Sequence, residues 1–274
     1  MLVMLLVNCN KEEPIPSYIH IDKFTLTTNY NVEGTASDKI LDAWIYIDDQ
    51  LVGAFQMPCT VPVLYEGTHT VKVLAGIKEN GISETRITYP FYETFEQSVD
   101  LVPGEILTLN PTTKYTQGAD FAWIEDFDNV AHTLCNNLGS ADTAMQMITT
   151  PTEIFENTGS GGVFLSTGAT SYIGVSCNNY ILPKAGAPVF LEINYYCNTD
   201  FNIGIVGYAG SNIETQSISI TLRPTNGWNK VYVNLTTEVS SAITSTDFKI
   251  FFSMVKNPDL STSYVYVDNI KLIN

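Results

Sequence analysis

The chain places its apolar residues in short runs and almost never in a helical rhythm. No window of 12 or more residues shows clean apolar spacing at three and four, which an amphipathic helix needs. Period-two alternation and brief apolar runs bounded by Gly, Asn, Asp and Pro recur instead, the mark of strands joined by tight turns. A chain patterned this way buries its apolar residues by stacking sheets. The expected class is all-β, as sandwiches or jelly rolls.

The strand candidates form two groups. In the first, Trp44-Ile45-Tyr46-Ile47 and Leu51-Val52-Gly53-Ala54-Phe55 flank the polar Asp48-Asp49-Gln50, which predicts a hairpin. Thr68 to Leu74 alternates at period two, and Val99-Asp100-Leu101 is split from Ile106-Leu107-Thr108-Leu109 by the turn Val102-Pro103-Gly104-Glu105. These residues predict a first β-sandwich over 17–113. Residues 114–118 end a polar stretch that starts at Pro111 and has no apolar period, and are the expected linker. A second group, over 119–274, has candidates at 163–165, 172–175, 189–196, 201–206, 228–235, 248–252 and 264–272. Two domains suit a 274-residue chain, taking roughly 100–200 residues per domain.

The 13 Lys and Arg against 29 Asp and Glu give a net charge of −16. Nucleic acid demands a basic patch, so it is not an expected partner. Anionic lipid surfaces are disfavoured for the same reason, and cation binding is favoured. The cysteines are Cys9, Cys59, Cys135, Cys177 and Cys197. None has the CxxC spacing of a zinc ribbon or redox motif. An odd number per domain fits buried free thiols better than a disulfide framework. A Cys177–Cys197 bridge is the pairing left open.

Residues 1–16 read as a signal and tether. Met1 to Asn8 is uncharged and too short for a bilayer span of about 20 residues. It fits the apolar region of a secretion signal. No basic residue precedes it, which points to a start codon upstream. Cys9 is followed by Asn10-Lys11-Glu12-Glu13. This resembles the export signal of Bacteroidetes surface lipoproteins, in which a lysine and two acids closely follow the cysteine. The resemblance implies a lipid on Cys9 and an outer-membrane anchor facing outward.

Two further resemblances concern fold. Asp42 to Ile77 resembles small PEGA-type surface β-domains, through Trp44 to Asp48, Leu51-Val52-Gly53, Pro58 and Gly67-Thr68-His69. It implies an Ig/PEGA-like spacer. Residues 119–274 resemble the galactose-binding-like jelly rolls that include many carbohydrate-binding modules. That resemblance is carried by Glu125-Asp126-Phe127, by Gly227-Trp228 through Leu235, and by Tyr266-Val267-Asp268-Asn269-Ile270-Lys271-Leu272. It implies a structural Ca2+ shared by the first and last strands, with Glu125 or Asp126 near Asp268. It also implies that Trp228 packs in the core. Asp128 is a further candidate ligand, since calcium takes six to eight oxygens.

Sugar binding needs flat apolar faces with planar polar groups beside them. The candidates are Tyr172, Tyr180, Tyr195, Tyr196, Tyr208 and Asn198. Tyr195 and Tyr196 must point to opposite faces of a strand, so only one can line a groove. His20, His69 and His132 fall in no HExxH, and the chain has no GxSxG. Enzyme activity is therefore not expected. The expected function is that of a non-catalytic surface lipoprotein binding carbohydrate through its C-terminal jelly roll. The alternative is an accessory subunit of an outer-membrane transport, adhesion or motility complex. Its partner would be an exported protein, met through sheet edges or the first domain.

Overall fold

The computed structural model describes residues 13–129, 131–136, 142–156 and 158–274, so Cys9 lies outside the described residues. Strand makes up 53% of the chain and helix 4%, and the protein is all-β as its patterning predicts. Among the described residues no helix is long and apolar enough to cross a membrane.

The first half contains β1 (Ser17–Ile21), β2 (Thr25–Leu26), β3 (Asp42–Ile47), β4 (Gln50–Gln56), β5 (Cys59–Val63), β6 (Gly67–Lys78), β7 (Arg86–Thr88), β8 (Phe95–Leu101), β9 (Ile106–Leu109) and β10 (Thr112–Thr113). One sheet runs β5-β1-β9, another runs β4-β3-β6-β7 with β8 also on β6, and β10 pairs with β2. Alternate residues of these strands, among them Ile19, Ile21, Ile45, Ile47, Val71 and Val73, are buried in one apolar cluster. The expected β3–β4 hairpin forms, pairing Ile47 with Gln50. Asp48 and Asp49 both take positive φ, at 47° and 62°. That is the backbone of a two-residue turn matching the strand twist, and Asp tolerates it better than most residues.

The second half contains β11 (Phe121–Glu125), β12 (Leu134–Cys135), β13 (Gln146–Ile148), β14 (Ser160–Leu165), β15 (Ser171–Ser176), β16 (Phe190–Cys197), β17 (Phe201–Ala209), β18 (Asn212–Leu222), β19 (Asn229–Asn234), β20 (Asp247–Val255) and β21 (Ser263–Ile273). Its first sheet has the order β13-β14-β21-β16-β19 with β11 on β21, and its second has the order β12-β15-β20-β17-β18. Leu191, Ile193, Val231, Val265 and Leu272 of the first sheet meet Phe201, Ile203, Ile250 and Phe252 of the second in a continuous core.

A bulge on β21 sets which residues face outward. Asn194 pairs with Asp268 and Glu192 with Lys271, so β21 carries one residue more than β16 between the pairs. Asn269 takes the extra turn at φ 49°, as bulges with a left-handed residue do. Val265 and Val267 before it and Ile270 and Leu272 after it can then all face the core.

The two halves meet on the outer face of the second half's first sheet. Phe190, Tyr232 and Ile273 leave the second core and join the first one beside Tyr89, Phe91 and Tyr92. Residues 114–118 are not a free linker. Tyr115 is buried and donates from its hydroxyl to both Glu192 oxygens at 3.0 and 3.1 Å. Lys230 pairs with Glu192 at 2.7 Å. Lys271 donates to the Thr35 carbonyl at 2.5 Å. Burial pushes the Glu192 carboxyl up, but Lys230 and Lys271 outweigh it and hold the group below the usual range. Burial pushes the Lys271 ammonium down to about 8.

The disulfide expectation needs correction. Cys135 and Cys177 are bonded, and Cys59 and Cys197 are free. The β12–β15 ladder places Cys135 opposite Val175, two residues from Cys177. Cys197 lies in the core on β16 of the other sheet, so a Cys177–Cys197 bridge does not form.

Candidate functional site

The first sandwich covers one end of the sheet containing β16 and β21. At the other end the outward residues are aromatic and half-buried or buried. Tyr264 and Tyr266 sit two apart on β21 and so share a face. Phe164 lies directly across from Tyr264 on β14, and Tyr196 directly across from Tyr266 on β16. Such cross-strand aromatic pairs contribute about 0.2–1 kcal/mol each. Ring centroids are 5.1 Å apart for Tyr264 and Tyr266, 5.6 Å for Tyr196 and Tyr264, and 5.9 Å for Tyr196 and Tyr266. Trp228 packs on Tyr266 from the side and is itself met edge-on by Phe155. Tyr266 is buried at the centre, while Tyr196, Tyr264, Phe164 and Trp228 are half-buried.

Hydrogen bonds fix the rings. The Tyr264 hydroxyl donates to the Tyr196 hydroxyl at 3.1 Å, and the Tyr266 hydroxyl donates to Glu153 at 2.8 Å. The contact with Tyr196, with burial second, raises the Tyr264 phenol to about 12. Burial, with the bond to Glu153 second, also raises Tyr266. Both phenols therefore keep their protons across the physiological range and remain donors. Asn198 accepts from the Tyr264 backbone N–H at 2.7 Å and donates to the Thr262 carbonyl at 3.0 Å. It holds the start of β21 in place, and its amide is occupied by the backbone.

The predicted sugar residues separate. Tyr196 is on the outward face. Tyr172, Tyr180 and Tyr195 are corrected: all three are buried in the core between the sheets, at 1%, 8% and 6% exposure. Tyr195 is the inward member of the Tyr195–Tyr196 pair. Tyr208 lies on the second sheet beside Val175, Val206 and Phe251. Sequence reasoning missed Tyr264, Tyr266, Phe164 and Phe155. The alternation Tyr264-Val265-Tyr266-Val267 was the available signal. Trp228, expected in the core, lies instead on the outward face.

The outer face of the second sheet offers a depression of about 430 Å3 lined by Ile173, Gln216, Ile218, Phe251 and Ser253. Phe251 is 2% exposed and its ring lies on Gly204, where a Cβ would come within 2.4 Å of the ring and 2.0 Å of the Ser217 carbonyl. Gly204 is thus required by close approach. The depression is lined by two isoleucines, Gln216 and Ser253, and its one aromatic ring, Phe251, is buried.

The expected calcium ligands do not converge. Glu125 accepts from the Phe127 and Thr133 amides and the Thr133 hydroxyl, at 3.0, 2.6 and 2.6 Å. Asp126 accepts from the Tyr30 hydroxyl at 2.9 Å and the Asp128 amide at 3.2 Å. Asp268 is bound by the Ser160 hydroxyl at 2.6 Å and the Asn269 amide at 2.7 Å. Burial, with Glu156 and Asp128 nearby, raises Asp268 to about 7. Among the described residues no group of three or more His, Cys, Asp or Glu side chains is arranged to hold a metal ion. Among the described residues the acidic side chains therefore do not by themselves make up the implied Ca2+ site.

No protein-family model matches the chain, and no curated protein matches it. Solved structures similar to it include carbohydrate-binding modules. One is the CBM22-2 xylan-binding domain of Paenibacillus barcinonensis Xyn10C, at 14% identity and TM-score 0.39, over 55% of this chain and 98% of that one. Another is the family 11 module of the Clostridium thermocellum cellulase Lic26A-Cel5E, at 12% identity and TM-score 0.40, over 57% of this chain and 95% of that one. The enzymatically active domain of bacteriophage CBA120 tailspike protein 4 is similar at 13% identity and TM-score 0.40; the match covers 54% of this chain and 20% of that one.

Proposed function

We propose that this protein is a non-catalytic, lipid-anchored surface protein that binds carbohydrate on the aromatic end of the sheet containing β16 and β21. The observation that carries this is the tyrosine platform. Tyr196 and Tyr264 are half-buried, fixed by each other's hydroxyls and backed by the buried Tyr266. Rigid rings meet the CH-rich face of a pyranose, and phenol hydroxyls meet its edge. Two side chains that could serve as a nucleophile or a base are engaged elsewhere. Cys177 is bonded to Cys135, and the His69 ring is held between Asp48 and the Glu66 carbonyl at 2.6 and 3.0 Å.

The test is a glycan array probed with the full chain, in calcium and in chelator. Binding is expected in both conditions. Tyr264→Ala is expected to weaken it about tenfold, the ~1.4 kcal/mol that one ring face contributes. An unchanged affinity in Tyr264→Ala and Tyr196→Ala would refute the platform.

Lipid at Cys9 is the proposed anchor, with the first sandwich as spacer. Cys9→Ser is expected to move the protein from the membrane fraction to the soluble fraction. Retention in the membrane would reject the anchor.

One observation favours the alternative, a protein partner in an outer-membrane complex. The 11-residue β18 ends its sheet and is paired on one side only. Ile213 and Ile218 along it are exposed at 51% and 56%. Such an edge is a template for an added strand. A blank glycan array with a stable co-purifying protein would decide for it.

A further inference from the structure

Acids outnumber bases 29 to 13 in this chain, so a concavity whose charged lining residues are all bases stands out. One occurs where the two sandwiches meet. It is a cavity of about 220 Å3 whose lining includes Lys39, Gln56, Lys78, Ser83, Arg86 and Lys230, and no Asp or Glu. Lys78 and Arg86 are directly paired across β6 and β7, an arrangement that is repulsive unless something neutralises it. Asp42, 0% exposed, lies behind both. Its carboxylate is 2.7 Å from the Lys78 ammonium and 3.3 Å from the Arg86 guanidinium. Lys230 is matched by Glu192. Among the described residues Lys39 has only a neutral partner, donating to the Asn229 side-chain oxygen at 2.5 Å, and burial lowers its pKa. The carboxylates facing these four cations are Asp42, Glu192, which also serves Lys271, and Asp38, which lies near Lys230.

The free donors point to the complement. The Arg86 ion pair with Asp42 is not a hydrogen bond, because the facing Asp42 oxygen has no hydrogen-bond partner among the described residues. The guanidinium side chain is 37% exposed, so its planar fork is open to the cavity. Such a fork matches carboxylate, sulfate or phosphate. Gln56 and Ser83 add neutral donors at the rim. The acidity of the rest of the surface does not cancel this charge, since exposed charges are largely screened beyond about 8–10 Å at physiological salt.

We propose that this junction cavity binds an oxyanionic group, with Arg86 and Lys39 as its principal contacts and Lys78 supplying charge from behind. The site is separate from the tyrosine platform and does not depend on it.

The experiment is calorimetric titration of the full chain at constant ionic strength in chloride, with thermal unfolding in parallel. Sodium sulfate, sodium phosphate and sodium galacturonate are the probes, and galactose is the neutral control. Saturable heat and a rise in Tm are expected with at least one oxyanion and not with galactose. Arg86→Gln and Lys39→Met are each expected to weaken binding at least tenfold; Arg86 is exposed, so its variant tests the site without a buried substitution. Binding of galacturonate assigns the site to a carboxylate, and binding of sulfate or phosphate alone assigns it to a tetrahedral anion. No saturable binding of any probe, or equal binding in both variants, overturns the proposal. The inorganic probes carry no sugar, so that failure would leave carbohydrate binding at the platform standing.

Discussion

Glu192→Gln is expected to lower the stability of the protein by about 3–5 kcal/mol, the usual cost of removing one partner from a buried ion pair. Glu192, Lys230 and Lys271 are 0%, 4% and 1% exposed. The carboxylate is the counter-charge for both ammonium groups and the acceptor for Tyr115. Gln keeps the shape and removes the charge, which leaves two buried cations facing one another. The loss should also depend on pH, with a definite sign. Lys271 already has a folded pKa of about 8, against roughly 10.4 for an unperturbed lysine. Without Glu192 it falls further. Between the folded and unfolded values the unfolded chain binds more protons, so stability rises with pH across that window. In Glu192→Gln the rise should therefore begin at a lower pH than in the wild type. Urea denaturation at pH 7 and pH 9 reads both effects. A loss below about 1 kcal/mol at pH 7 would show that water reaches the cluster.

Removing the disulfide is expected to be nearly as costly. Cys135 and Cys177 are 42 residues apart, and closing a loop of that length is worth about 4 kcal/mol in the chain-entropy account. The bond fastens β12, which is only two residues long and sits at the edge of its sheet. Cys135→Ala/Cys177→Ala should lower the denaturation midpoint accordingly, and reducing agent should do the same to the wild type. An effect under about 1 kcal/mol would mean that the bonds from Thr133 to Glu125 and from Trp123 to Thr133 already hold the segment.

Period and turn chemistry made most of the strands legible in the sequence. Trp44 to Phe55 has polar Asp48-Asp49 between two β-rich arms, and it forms a hairpin. Strand candidates at 163–165, 172–175, 189–196 and 264–272 fall in β14, β15, β16 and β21. β18 was missed because its isoleucines are diluted by Glu, Thr, Gln and Ser on an exposed edge. Which tyrosines face outward was only half legible. Adjacency told that Tyr195 and Tyr196 must diverge, but not which of them was buried. That depends on which face of the sheet packs on the other sheet, a long-range fact. The bulge left a trace that is readable only in hindsight. Val267, Ile270 and Leu272 break strict alternation at Asp268-Asn269, where Asn269 takes positive φ. The interface could not be read at all. Lys230, Lys271 and Glu192 look like ordinary strand polar residues, and only the docking of the first sandwich buries them. The cavity cations fail to stand out for the same reason, being scattered from Lys39 to Lys230.

The alternation of β16 and β21 has an evolutionary consequence. Tyr195, Val265 and Val267 hold the fold, while their immediate neighbours Tyr196, Tyr264 and Tyr266 face away from it. With ligand bound at the proposed platform, core and ligand preference are written on interleaved positions of the same strands. Substitutions at Tyr196 and Tyr264 can accumulate with little repacking beneath them. A lineage carrying this scaffold can therefore change what it recognises without first acquiring spare stability, and a designer can randomise the same outward positions as a library.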